Sequence, residues 1–171
     1  MTFLELAKAR YSVRKYKDTP VEQEKIDMIL EAAKVAPTAC NKQPQKIYVV
    51  KSEEVKEKLA SVCRFTFGAP VIMVVCYDKT REWRNDLTPG YATGETDAAI
   101  ACTHMMLEAW DLGLGSCWVA WFNADQVAQV LGIPENEQVL ALLPIGYAAE
   151  EAKPASLHSI YREDADMVSV L

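Results

Sequence analysis

The chain has 171 residues, with 18 basic against 24 acidic side chains and a net charge of −6. Half of the residues are apolar and a quarter charged, which excludes disorder as the main state, and the length fits one domain with no separate nucleotide domain. The acidic total argues against a general nucleic-acid binder. No apolar run approaches the roughly 18 residues of a membrane span.

The charge is unevenly spread. Residues 1–51 hold ten Lys or Arg and six Asp or Glu, a net of +4; residues 52–171 hold eight and eighteen, a net of −10. A locally basic N-terminal third is suited to a small anionic ligand. The opening residues lack a long apolar core and include Glu5, so no signal peptide is expected and the cytoplasm is the default location. Five scattered cysteines without a Cys-x-x-Cys pair form neither a disulfide framework nor a zinc ribbon, and no metal site is expected.

Residues 2–10 read as a short helix with Phe3, Leu4, Leu6 and Ala7 on one side. Thr19, Pro20 and Glu22 predict a second helix, with Thr as N-cap and Pro at N1, running to about Ala36 and burying Ile26, Ile29, Leu30 and Ala33. Residues 46–50 read as a strand, and Ser52 caps a helix through about Val62. Residues 70–77 form an unbroken β-branched run, the pattern of a strand covered on both faces. The polar stretch 78–94 is longer than an ordinary connection, either disordered or a functional lid.

From Thr93 or Thr96 a helix extends to about Leu112, apolar on nearly every side, which places it in a core or a subunit interface. Gly113 ends it as the residue beyond the C-cap. A fourth apolar segment covers 116–121, Asn123 caps a helix ending at Gly132, and 139–147 is the last long strand. Residues 167–171 alternate like a strand in need of a sheet edge. The order predicts an α+β or α/β layer built on one sheet. The dinucleotide-binding glycine fingerprint is missing: Gly113-Leu114-Gly115 follows a helix and lacks the third glycine.

Three segments could carry chemistry. Arg10-Tyr11-Ser12-Val13-Arg14 places two guanidiniums and a hydroxyl within five residues, suited to a phosphate dianion. Taken alone, surface ion pairing explains it better. Residues 37–44 set Thr38, Asn41 and Gln43 between two prolines, groups able to bond a polyol or a heterocycle edge, or simply to form a helix-to-strand turn. Residues 112–121 bring glycines that allow close backbone approach, together with Trp118 and Trp121, which could line a flat aromatic pocket; a helix cap followed by a core strand is the other reading.

Together these segments resemble the FMN-dependent nitroreductase family. The resemblance rests on Arg-x-Ser-x-Arg, the Ala-Pro-Thr-x-x-Asn-x-Gln-Pro loop, Ala69-Pro70 before an apolar strand, Asp97 in the central helix, Gly-Leu-Gly-Ser-Cys-Trp, and Pro144-Ile145-Gly146-Tyr147. It implies an α+β fold with one antiparallel or mixed sheet flanked by helices, an intertwined homodimer with FMN at the subunit interface, reduced by NADH or NADPH in ping-pong fashion, and a small acceptor such as a nitroaromatic or a quinone. Arg10 and Arg14 would grip the phosphate, with Ser12 and the Tyr11 backbone on ribityl or pyrimidine groups. Pro37, Thr38, Ala39 and Asn41 would come from the partner protomer. Trp118, Val119 and Ala120 would flank the ring, offering a main-chain amide to its N5.

The resemblance also implies that residues 1–171 form a single FMN-binding domain, with a tail from about 155 to 171 packed on the partner. No side chain is expected to be catalytic. The sequence departs from the family after the last strand: a second cation expected near 155–156 is Ala155 or Ser156, leaving Lys153 as the substitute. That departure motivates an alternative, a member that sequesters or senses FMN with little redox turnover. Phe65, Phe67, Trp83 and Tyr91 are candidates for a substrate lid, or for core.

Overall fold

A computed structural model describes residues 1–171. Ten elements follow one another: helices α1 (Phe3–Ala9) and α2 (Gln23–Val35), strand β1 (Gln45–Val50), helix α3 (Glu53–Val62), strand β2 (Val71–Asp78), helix α4 (Gly94–Asp111), strand β3 (Gly115–Ser116), helix α5 (Ala124–Leu131), strand β4 (Glu137–Gly146) and helix α6 (Asp164–Met167). The strands form one sheet in the order β1-β2-β4-β3, every pair antiparallel. No helix is long and apolar enough to cross a membrane.

The unbroken apolar run of β2 has the expected cause. Val71, Met73 and Val75 face one core with α2 and α4, while Ile72, Val74 and Cys76 face another with α3 and α5. Alternate residues of one strand thus serve two cores, and no position is left for a polar side chain. A bulge between Val75 and Cys76 shifts the register against β4. Helix α4 lies across the first core, burying Ala98, Ala101, Cys102, Met105 and Ala109.

Local signals set most boundaries. The Ser52 hydroxyl accepts from the Val55 N–H, and the Asn123 side chain accepts from the Gln126 N–H, satisfying helix-start donors as expected. Gly113 and Gly132 adopt φ of 78° and 66° beyond α4 and α5. Thr2 and Glu5 close a capping box on α1 that the sequence reading did not single out.

Helix α2 starts later than expected. Its N-cap is Glu22, and no side chain caps it. The Glu22 carboxylate instead accepts the Tyr147 hydroxyl at 2.8 Å, and the same hydroxyl accepts from Lys25 Nζ at 2.8 Å. A tertiary tie to the end of β4 outcompetes the local Thr19 cap. The segment 116–121 is also less regular than expected: two residues are strand, and Val119 makes an isolated bridge to Leu142. At the C-terminus, 164–167 is helical and 168–171 pairs with no sheet edge of this chain. The stretch 78–94 folds back on itself through an Arg84–Ala92 bridge and a Thr93 N–H bond to the Trp83 carbonyl.

Truncating Met105, which is wholly enclosed, to Ala should cost about 2–5 kcal/mol, read from the urea midpoint at constant m. A loss under about 1 kcal/mol would contradict its place in the core. Cys40 alone among the five cysteines is exposed, so native protein should release one thiol equivalent to a thiol reagent and denatured protein five. Burial pushes the Cys76 and Cys102 thiols up to about 12. The unfolded chain releases these protons near about pH 8.5. Stability should therefore fall as pH rises from about 9 toward 12, by at most about 1.4 kcal/mol per unit for each thiol.

Candidate functional site

The segment 10–14 leaves α1 and runs beside β3. Ser12 makes a parallel bridge with Ser116, and the Val13 N–H donates to the Ser116 carbonyl at 3.0 Å. This approach requires Gly115. A Cβ there would overlap Val13 Cγ2 and lie 2.7 Å from Val13 Cβ, so any side chain forces the two backbones apart. Tyr16 secures the far end: its buried hydroxyl donates to the Val13 and Pro144 carbonyls at 2.8 and 3.1 Å. Burial raises that phenol above its ordinary value. Nothing in the sequence pattern distinguished Tyr16; its role exists only once β4 lies beside residue 13.

The polar groups gathered here are only partly used. Arg10 Nη1 and Ser116 Oγ are both buried and have no hydrogen-bond partner. Arg14 is exposed, with Nη1 3.3 Å from the Ser12 carbonyl, and neither arginine belongs to an ion pair. The surface ion-pair reading of Arg10 and Arg14 therefore fails. Buried polar groups without partners are costly, of order 1–3 kcal/mol each, and few in a folded protein; the other one here, Gln45 Oε1, lies away from this cluster. Cys117, adjoining this cluster, is raised by burial, an effect opposed by Arg14, by a Ser12 hydrogen bond and by Arg10.

Tyr11 packs edge-to-face on Trp110 at 5.2 Å between ring centroids, and its hydroxyl donates to the Ala152 carbonyl at 3.4 Å. That contact brings Lys153, which is exposed and unpaired, into the same neighbourhood. Beyond Ser116 the chain continues through half-buried Trp118 and buried Val119, whose N–H donates to the Leu142 carbonyl, to exposed Ala120. Arg10, Tyr11, Ser12 and Arg14 thus run beside β3, with Trp118, Val119 and Ala120 following that strand in the chain and Lys153 next to the Ala152 that Tyr11 contacts.

Pro37, Thr38, Ala39 and Asn41 do not join them. Their loop is tied to the other end of α4: the Ala39 N–H donates to Asp97 Oδ1 at 3.0 Å, and the Thr93 hydroxyl donates to Asp97 Oδ2 at 2.9 Å. Asp97 is only 3% exposed. Within the loop Cys40, Asn41 and Gln43 all have φ near +50°, three strained positions in four residues. Thirteen residue steps of α4 lead from Asp97 to Trp110, about 20 Å at 1.5 Å per step. One chain holds the two halves of the expected site at opposite ends of α4.

Comparison with known proteins agrees with this architecture. The family model described as "Nitroreductase family" matches residues 7–64 and 62–147. A crystal structure of a nitroreductase family protein from Clostridium difficile 630 is similar with a TM-score of 0.92 and 36% identity, over 99% of this chain and 98% of that one. A protein described as an FMN-dependent nitroreductase from Clostridium difficile R20291 is similar with a TM-score of 0.77 and 30% identity, over 95% and 99%. Among curated relatives, a Bacillus subtilis protein named as an FMN reductase using NAD(P)H is 29% identical over 158 residues, 82% of this chain and 64% of its own length. With its single antiparallel sheet and the family model spanning most of its length, the chain belongs to the nitroreductase family.

Proposed function

We propose that the protein is an NAD(P)H-dependent flavin oxidoreductase that holds FMN between two copies of the chain and reduces a small acceptor such as a nitroaromatic or a quinone. The observation that carries this reading is the pair of buried, unpartnered polar atoms, Arg10 Nη1 and Ser116 Oγ, in one wall with Arg14 and Ser12. They supply what a phosphate dianion and a polyhydroxyl chain need: bidentate cationic donors and a short hydroxyl. The names of the similar FMN reductase and FMN-dependent nitroreductase support the same assignment.

FMN held there would supply the redox chemistry between NADH or NADPH and the acceptor, with donor and acceptor alternating at one place. The chain's own residues bind and orient. Arg10 and Arg14 hold the phosphate, and Lys153 adds a point charge. Ser12 and the Tyr11 backbone meet the ribityl and pyrimidine groups. Trp118, Val119 and Ala120 form the wall beside the ring. Pro37, Thr38, Ala39 and Asn41 would arrive from a second copy, because their own loop is tied to the end of α4 opposite the Tyr11–Trp110 contact. No acid–base side chain is required.

In this reading residues 1–171 form one FMN-binding domain of a cytoplasmic homodimer. The tail from about 155 onward, with Leu157, Ile160, Tyr161, Val168 and Val170 exposed, packs across the partner. So does α1, which buries none of its residues and leaves Phe3 70% exposed.

The first test is anaerobic titration of FMN-reconstituted protein with NADH and NADPH. Stoichiometric bleaching at one flavin per chain is expected. Tight binding that neither nucleotide bleaches would favour FMN sequestration, and no binding would overturn the proposal. Arg10→Ala and Arg14→Ala should each weaken FMN roughly ten- to hundredfold in a fluorescence titration, the size of a lost charge-assisted bond. Gly115→Ala should also weaken FMN, by displacing segment 10–14, and lower stability by about 1–3 kcal/mol. Unchanged FMN affinity in Gly115→Ala would show that the close approach to Val13 does not matter.

A further inference from the structure

Just beyond the proposed ring wall, the next residue is Trp121. Its side chain is 74% exposed, although tryptophan is among the largest apolar surfaces a protein can bury. It stacks on Phe65 with centroids 5.3 Å apart and planes 21° from parallel. The Arg64 guanidinium lies over both rings, 5.0 Å from Phe65 and 5.1 Å from Trp121. These groups border a shallow cavity of about 570 Å³ that also involves Cys63, Phe122 and Asn123. No acidic residue lines it, and Arg64 takes part in no ion pair or hydrogen bond of the chain.

A guanidinium stacked on an aromatic face keeps its N–H donors free, because they lie in its own plane. It can therefore grip a carboxylate edge-on while staying over the rings. An exposed indole beside it offers a flat surface to a second arene. The two features together suit a planar aromatic ring that carries an anionic substituent. A neutral arene would use the indole and leave the cation unanswered; an aliphatic acid would do the reverse.

We infer that Arg64, Phe65 and Trp121 form the docking platform for the electron acceptor, and that they select planar aromatic acceptors bearing a carboxylate or similar anionic group. The inference rests on the flavin reading above, since it is the position of Trp121 directly after Ala120 that puts the platform next to the ring. Arg64 acts here as a specificity residue; it donates no proton and takes no electron.

The test compares 4-nitrobenzoate with 4-nitrobenzamide, which have the same shape and nitro group but differ in charge. Binding to the FMN-loaded protein is followed by quenching of tryptophan fluorescence, and turnover by NADH- or NADPH-driven reduction. The acid should bind roughly tenfold more tightly than the amide, a difference expected of one charge-assisted contact. In Arg64→Gln that ratio should collapse to about one, and in Arg64→Lys part of it should return. The ratio of KM values should follow the ratio of dissociation constants. Equal binding of acid and amide by the unmodified protein, or a ratio that survives Arg64→Gln, would overturn the inference. NAD(P)H bleaching is read on the same samples without acceptor. Bleaching without charge discrimination removes only the platform, whereas failure to bleach removes the underlying oxidoreductase reading.

Discussion

The Asp97 carboxylate, buried near the start of α4, accepts the Ala39 N–H and the Thr93 hydroxyl. Burying a carboxyl group is costly unless it is hydrogen-bonded, and three circumstances offset that cost: two short hydrogen bonds and a location in the first turn of an 18-residue helix, where unpaired backbone N–H groups favour an acidic side chain. The bond to Ala39 fixes the following loop, whose three left-handed non-glycine residues would otherwise relax. At the other end of the same helix, Trp110 packs against Tyr11 and so fixes the arginine segment. Helix α4 therefore acts as a rigid spacer, and it is this spacing that makes a second copy part of the proposed site. Shortening or bending it would misplace both halves together.

The wall around Arg10 shows stability set against readiness to bind. Gly115 forgoes a side chain so that residue 13 can lie against β3, and Tyr16 spends its single hydroxyl on holding that arrangement. Arg10 Nη1 and Ser116 Oγ, both enclosed, find no partner within the chain. Their unmet bonding capacity lowers the stability of the free protein, and a ligand that reached them would recover it.

Much of this was legible in the sequence where the signal is local. Ser52, Asn123, Gly113 and Gly132 mark helix ends by chemistry confined to a few residues, and the unbroken run in β2 states its double burial directly. The Arg10, Ser12, Arg14 cluster was visible as a motif, though the enclosure of Arg10 Nη1 was not. What escaped depends on partners distant in the chain. The Thr19 cap yielded to a Glu22–Tyr147–Lys25 network across more than a hundred residues. Tyr16 and the tie from Asp97 to Ala39 likewise join segments that only the sheet order brings together. The alternation of 167–171 suggested a strand, but Met167 closes α6 and 168–171 pairs with no sheet edge of this chain.

The cations at these sites share a property that net charge conceals. Phosphate, nicotinamide nucleotide and an acidic acceptor are all anions, while the protein carries −6 overall. Its five ion pairs engage Lys15, Lys34, Lys56, Lys58 and Arg84. Arg10, Arg14 and Arg64 engage none. Had any of them been paired with a carboxylate, an incoming anion would first have to displace it, and the gain from the new bond would largely cancel. With a screening length of about 8 Å at physiological salt, the acidic remainder of the surface acts only weakly at the site. Local potential, set by which arginines the fold leaves unpaired, decides what an acidic protein can hold.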